Sequence, residues 1–257
     1  RLVGSEMCIR DRTYNTKIPS YGATGWWDKS AYKEGMVLGD IWGLQFDRFL
    51  TEDDFNADGS LKAGLPDQTK VFPAGYQFAP GDVLYKDLDN NGEIVKQTNT
   101  NDKGDLSVIG NALPRLQFGL NLDAAWKGFD ISMFFQGVAK RKLWAAGNQV
   151  LPGFTTGEPF YKGAEDYWTP ENTDAFYPRP MDYKQSASGN YSVNDRYLLN
   201  MAYLRLKTFT VGYSLPKVWL SKFKVQGLRV YFTGENLFTI DGVKPAIDPE
   251  IGIRTAS

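Results

Sequence analysis

Residues 116–137 read LQFGLNLDAAWKGFDISMFFQG. In an extended chain Leu116, Phe118, Leu120, Leu122, Ala124 and Trp126 fall on one side, and Gln117, Gly119, Asn121, Asp123 and Ala125 on the other. A period of two held this long is the signature of a strand with one apolar face. Lys127-Gly128 supplies a tight turn, and the alternation resumes with Phe129, Ile131, Met133 and Phe135 against Asp130, Ser132 and Gln136. Phe134 breaks the polar side. The two runs predict a hairpin. Eleven residues at about 3.3 Å each reach about 36 Å, or about 28 Å along a membrane normal at a tilt of about 40°. That matches the roughly 25 Å apolar band of an outer-membrane barrel. Strands of globular proteins more often run to about five or six residues.

Outward from this hairpin the chain reads as strands between long loops. Residues 203–213 and 228–238 form a second hairpin, rich in β-branched and aromatic residues. In strict alternation Arg205 and Lys207 share a face with Phe209, Val211 and Tyr213. Weaker strand signals lie at 40–49 and 83–86, and a single turn of helix is expected around 164–168. The connections 51–81, 87–114 and 139–201 are long, and up-and-down tracing puts all three on one side. Short turns on one side and long loops on the other are the habit of outer-membrane barrels, whereas compact domains rarely carry such loops without a function. The polar faces, Gln117, Asn121, Asp123, Asp130, Ser132 and Gln136 with Arg229, Tyr231, Thr233 and Glu235, are expected to face a barrel interior. Leu120, Leu122, Ile131, Met133, Val230 and Phe232 are expected to face lipid, with Trp126 and Phe129 in an aromatic girdle. The competing architecture is a secreted β-sandwich binding carbohydrate through its aromatic residues, in which these apolar side chains would line a closed interior between two sheets.

Composition removes several alternatives. The 257 residues carry 29 Lys+Arg against 30 Asp+Glu, a net charge of −1, and leave no basic footprint for nucleic acid. With no histidine there is no Ser-His-Asp or Cys-His catalysis and no histidine metal site. The single cysteine, Cys8, cannot close an intrachain disulfide. It lies in residues 1–12, RLVGSEMCIRDR, which lack the apolar core of a signal peptide and read as a non-native leader ahead of residues 13–257. The adjacent pairs Asp53-Asp54 and Glu165-Asp166 diverge in extended chain, which disfavours a third candidate, a carboxylate-pair hydrolase.

Four groups of residues carry a family resemblance. They are Trp126-Lys-Gly-Phe-Asp-Ile-Ser-Met-Phe-Phe-Gln-Gly137; Ala164-Glu-Asp-Tyr-Trp-Thr-Pro-Glu-Asn172 with Tyr177-Pro-Arg-Pro180; Asp195-Arg-Tyr-Leu198 running into Tyr203-Leu-Arg-Leu-Lys207 and Val211-Gly-Tyr-Ser-Leu-Pro216; and Leu228-Arg-Val-Tyr-Phe-Thr-Gly-Glu-Asn-Leu-Phe238 followed by Asp248-Pro-Glu250. In this order, between about residues 34 and 250, they resemble the C-terminal barrel region of SusC/RagA-type TonB-dependent transporters of Bacteroidetes. The resemblance implies an all-β, antiparallel up-and-down segment of a 22-stranded transmembrane barrel with long extracellular loops, incomplete at both ends. It implies residence in the bacterial outer membrane, import of glycans or peptides powered through TonB, and a SusD-like surface lipoprotein as partner. It implies no enzymatic activity.

Two sets of residues stand out as candidate sites. Asp87, Asp89 and Asn91 place side-chain oxygens at the first, third and fifth positions of a calcium-type loop, Gly92 takes the turn and Glu93 offers a backbone carbonyl. Thr98 stands where an EF-hand has its bidentate Glu. The family resemblance supplies a substitute in Asp105, ahead of Ser107-Val-Ile-Gly110, to close a structural calcium site. The alternative is a plain Asx turn held by side-chain-to-backbone bonds. In the loop 139–201, Trp144, Tyr161, Trp168 and Tyr177 are candidates for stacking on a sugar or anchoring a partner. Packing of the loop's own core is the alternative, and residues 182–194 offer a more polar contact surface for the lipoprotein.

Overall fold

The computed structural model describes residues 37, 39–96, 103–145, 147, 149–154, 162–181, 189–221, 225–244 and 247–250; the expected leader 1–12 lies outside them. Ten strands run β1 (Asp40–Gly43), β2 (Phe46–Phe49), β3 (Val83–Tyr85), β4 (Ser107–Asn111), β5 (Gln117–Trp126), β6 (Phe129–Val138), β7 (Lys142–Leu143), β8 (Leu199–Asn200), β9 (Tyr203–Ser214) and β10 (Arg229–Asp241). A 3-10 turn occupies Glu52–Asp54, and one short helix, α1 (Lys217–Ser221), comes after β9. No helix among the described residues is long and apolar enough to cross a membrane. Residues 164–168, expected to form a helical turn, form non-helical turns and an isolated bridge from Tyr167 to Tyr177.

The four long strands form one antiparallel sheet in the order β10-β9-β6-β5. Lys127 at φ 47° and Gly128 at φ 90° join β5 to β6 in a two-residue turn with both central residues left-handed, the twist that suits a tight hairpin. That turn and the β9–β10 connector through α1 lie at the same end of the sheet, as the pairs Trp126↔Phe129 and Ser214↔Arg229 show. The three remaining short-strand pairs, β1-β4, β2-β3 and β7-β8, belong to the long connections at the other end.

Among the described residues, both hydrophobic cores lie in this loop layer. One gathers Ile41, Leu143, Leu151, Tyr197 and Met201 with Val243 beyond the end of β10, and the other gathers Leu44, Phe49, Val83, Tyr85 and Ile94. Arg196 joins the two. Its guanidinium lies 4.3 Å from the Phe46 ring centroid and 5.4 Å from that of Phe176, and donates to the carbonyls of Ala175 and Phe176. Fully buried Asp82 is a second tie. It accepts from Arg179 Nε at 2.8 Å and from Asn190 Nδ2 at 3.0 Å, and Asn190 Oδ1 in turn accepts the amide of Val83 at 2.8 Å. Buried polar groups this fully satisfied hold chain segments about a hundred residues apart without an unpaired-group penalty.

The long sheet has no such cover. Every residue of β5 is exposed, and β10 is exposed along nearly its whole length. Phe232 is 61% and Trp126 68% accessible. Among the described residues no second sheet packs on either face, so the stacked interior of a β-sandwich is absent there.

Candidate functional site

Register fixes which side chains share each face of the sheet. Directly opposed residues project to the same side, so the pairs Leu120↔Phe135, Leu122↔Met133 and Ala124↔Ile131 on β5 and β6 continue through Ile131↔Val211 and Met133↔Phe209 to Phe232↔Val211 and Val230↔Tyr213. This is one apolar face across four strands. Near the short turns it carries Trp126, Phe129 and Tyr213, the last two with ring centroids 4.4 Å apart. The opposite face carries Asn121, Asp123, Ser132, Thr210, Thr233 and Gln136. Thr210 and Thr233 hydroxyls lie 3.0 Å apart across strands, and Arg229 of β10 reaches over Gly212 to pair with Asp130 of β6. Phe134, the break in the polar pattern, lies against Gly119 on the neighbouring strand, where its ring covers the missing side chain.

The expected misalignment of Arg205 and Lys207 is corrected by a bulge. The pair Phe134↔Thr208 gives way to Phe135↔Leu206, leaving Lys207 as the extra residue, and on the other side Glu235↔Thr208 gives way to Phe238↔Leu206. One inserted residue flips the parity of every residue beyond it. Leu206 and Leu204 thus join the apolar face, while Arg205, opposite Gln136 and Thr239, joins the polar one. Arg205 and Lys207 there meet Asp248 and Glu250 from beyond β10.

In the acidic loop, the carboxylates of Asp87 and Asp89, singled out by spacing, meet that of Asp105, singled out by the family resemblance. Carboxylate oxygens of Asp87, Asp89 and Asp105 lie within 4.8 Å of one another. Asp105 is fully buried; its two oxygens accept the amides of Leu88 and Val95, both at 2.8 Å. Asp87 accepts the amides of Gly92 at 2.8 Å and Asn90 at 2.7 Å, and the Gly92 bond leads in holding its carboxyl below the usual carboxylate range. Asp89 is pushed upward by desolvation first, with the charges of Asp105 and Asp87 adding to it. Asn91 bonds Asp89 through Nδ2 and accepts the Glu93 amide through Oδ1. The Glu93 carboxylate turns away to Lys70. Among the described residues no Lys or Arg forms an ion pair with the three converging carboxylates.

The aromatic candidates are placed differently. Trp144 and Trp168 are buried, Trp168 with its ring against Gly81, and neither presents a face to a ligand. A loop layer with two cores draws them inward, so their assignment as contact residues is corrected. Tyr177 is buried as well and donates its hydroxyl to the Val150 carbonyl at 3.0 Å, although part of it lines a cleft of about 650 Å³ with Tyr167, Pro178, Pro180 and Tyr191. Tyr161 and residues 182–188 lie outside the described residues. The exposed aromatic that sequence reasoning missed is Tyr167, 41% accessible; it stands beside the larger Trp168, and nothing in the local pattern separates the exposed ring from the buried one.

No protein-family model matches the chain. Two TonB-dependent receptors of Formosa agariphila are similar in sequence. One is 29% identical over 228 residues, 86% of this chain and 19% of that receptor, and the other 34% identical over 166 residues, 63% and 16% respectively. The chain thus spans less than a fifth of the length of these relatives. Among solved structures, the RagAB peptide transporter matches with a TM-score of 0.52 at 18% identity, over 82% of this chain and 20% of that one. The RagAB peptide importer in its open-open state matches with a TM-score of 0.50 over 82% of this chain. At this identity the structural match speaks for the fold alone. None of these relatives is an enzyme. Over most of its own length the chain is similar in sequence to TonB-dependent receptors, and in fold to part of the RagAB peptide transporter.

Proposed function

We propose that the chain forms part of the wall and outer loop layer of a 22-stranded, TonB-dependent importer in the bacterial outer membrane, and that the assembly takes up glycans, peptides or similar large nutrients with a SusD-like surface lipoprotein over the loops. The observation that carries this reading is the uncovered sheet, apolar across one face and polar across the other, with strands of 10 to 13 residues. In water such an apolar face is a liability; in a bilayer it is the requirement. The loop layer supplies its own cores and so stands clear of the membrane. Cysteine labelling in intact cells, with Cys8 replaced by serine, tests the orientation. Ser60→Cys in the loop layer is expected to react with an impermeant maleimide from outside, and Val218→Cys in α1 only after the outer membrane is opened. Equal reaction at both sites would contradict the reading.

A second proposal concerns the acidic loop, which we read as a structural site for calcium or a similar hard divalent cation. Its support is the convergence of three carboxylates from two chain segments with no basic side chain paired to them among the described residues; a divalent cation is the charge such a set lacks. Calcium is expected to raise the unfolding midpoint, and Asp89→Asn, on the exposed side of the cluster, to abolish most of that rise. A midpoint indifferent to calcium and chelator would leave the loop held by its Asx bonds alone.

A further inference from the structure

The segment Asp248-Pro249-Glu250 lies across the polar face of β9. Asp248 receives Arg205 Nη2 at 2.7 Å and Nη1 at 3.4 Å. Glu250 receives Arg205 Nη1 at 3.0 Å and Lys207 Nζ at 2.7 Å through the same oxygen, Oε2, while its Oε1 is buried without a partner among the described residues. Arg205 also has partners other than the acids. Arg205 Nε donates to Thr239 Oγ1 at 2.7 Å on β10, its guanidinium lies 5.8 Å from the Tyr203 ring centroid, and the bulge sets Lys207 beside it. The Arg205 side chain is only 11% accessible, whereas those of Asp248 and Glu250 are 43% and 27% accessible. Arg205 is the most enclosed of the four, while Lys207 and Glu250 are similarly accessible, at 23% and 27%. Val243 and Ile247 pack against a loop core, so the strap is anchored just upstream of its charged end.

We propose that Arg205 and Lys207 form an anion site on this face, that Asp248 and Glu250 fill it as an internal stand-in, and that acidic groups of a solute displace them. An arginine able to engage carboxylates with two nitrogens, beside a lysine, is the donor set that recognises carboxylates. A carboxylate oxygen buried without a donor makes the stand-in an imperfect occupant. The solute class is an oligomer bearing several carboxylates. The strap itself is independent of the transport reading, whereas calling the solute a cargo rests on it.

Hydrogen exchange at the amides of Ile247, Asp248 and Glu250, in the full chain in detergent, is the test. Lys207→Met and Glu250→Gln are each expected to speed exchange about two- to fivefold at low salt, with the double variant no faster than either alone. Arg229→Gln, which breaks the separate pair with Asp130, is expected to leave these amides unchanged. Trigalacturonate is expected to speed the exchange beyond sodium chloride of equal ionic strength, and maltotriose to have no effect. Additive variant effects would overturn the strap; trigalacturonate acting no better than salt would overturn the anion site. Neither result depends on the cell-labelling outcome, so failure of the transport reading is separately visible.

Discussion

Gly212 shows how one residue ties three strands. It faces Asp130 of β6 and Tyr231 of β10, and a Cβ there would meet Arg229 Nη2 at 2.6 Å and the Asp130 carboxylate at 2.7 Å. Gly212→Ala is expected to push those two flexible side-chain ends apart, read as loss of the Arg229–Asp130 pair with only a small fall in the unfolding midpoint; Gly227→Ala, with open space around it, is expected to leave both unchanged. In the loop layer the decisive residue is Asp54. Arg48 holds it through Nη1 at 2.5 Å and Nη2 at 2.8 Å, and this hydrogen bonding leads in lowering its carboxyl to about 2. A carboxyl depressed on folding stabilises above its unfolded value of about 3.9, and that stabilisation drains away as pH falls through the folded value. The protection factors of the amides in residues 48–54, corrected for the acid slowing of intrinsic exchange, are therefore expected to fall between about pH 4 and pH 2, and Asp54→Asn to remove that step.

The element that organises the sheet is the bulge in β9 and β10. It is pinned by Asn236 at φ 51°, a left-handed conformation that asparagine and glycine tolerate and β-branched residues do not. Asn236→Val is expected to destabilise by about 1–3 kcal/mol and Asn236→Gly by much less, which unfolding titrations in detergent can resolve. The same bulge marks the limit of what periodicity reveals. The long strands are legible because alternation is local: residues 116–126 and 203–213 correspond to β5 and β9 within a residue at their ends. Lys207 is not, since an inserted residue shows only when two strands are paired. β4, β7 and β8 leave no local signal because each is short and made by a distant partner. At the acidic loop, Asp87 and Asp89 can be read from spacing, but Asp105 needs the family resemblance, being brought in across residues 97–102. Trp144 and Trp168 look like contact residues because composition does not distinguish an aromatic that lines a surface from one that fills a loop core.

At the scale of the molecule, the order of burial is inverted relative to a water-soluble β-protein. The outer strands of the long sheet, β5 and β10, are exposed along nearly their whole length, while the irregular loops hold the cores found among the described residues. A bilayer around the apolar face accounts for both, because lipid replaces the second sheet that a sandwich would need. On the proposed reading the aromatic residues at the short-turn end, Trp126, Phe129 and Tyr213, would form an interfacial belt. The most direct test is a nitroxide scan along β5, one label at a time from Phe118 to Ala125 in lipid bilayers, reading collisions with oxygen and with a water-soluble nickel chelate. The account predicts a period of two, with oxygen collisions highest at Phe118, Leu120, Leu122 and Ala124 and nickel collisions highest at Gly119, Asn121, Asp123 and Ala125. Labels at Leu120 and Leu122 shielded from both reagents would mean a protein interior on that face, and would contradict the membrane barrel.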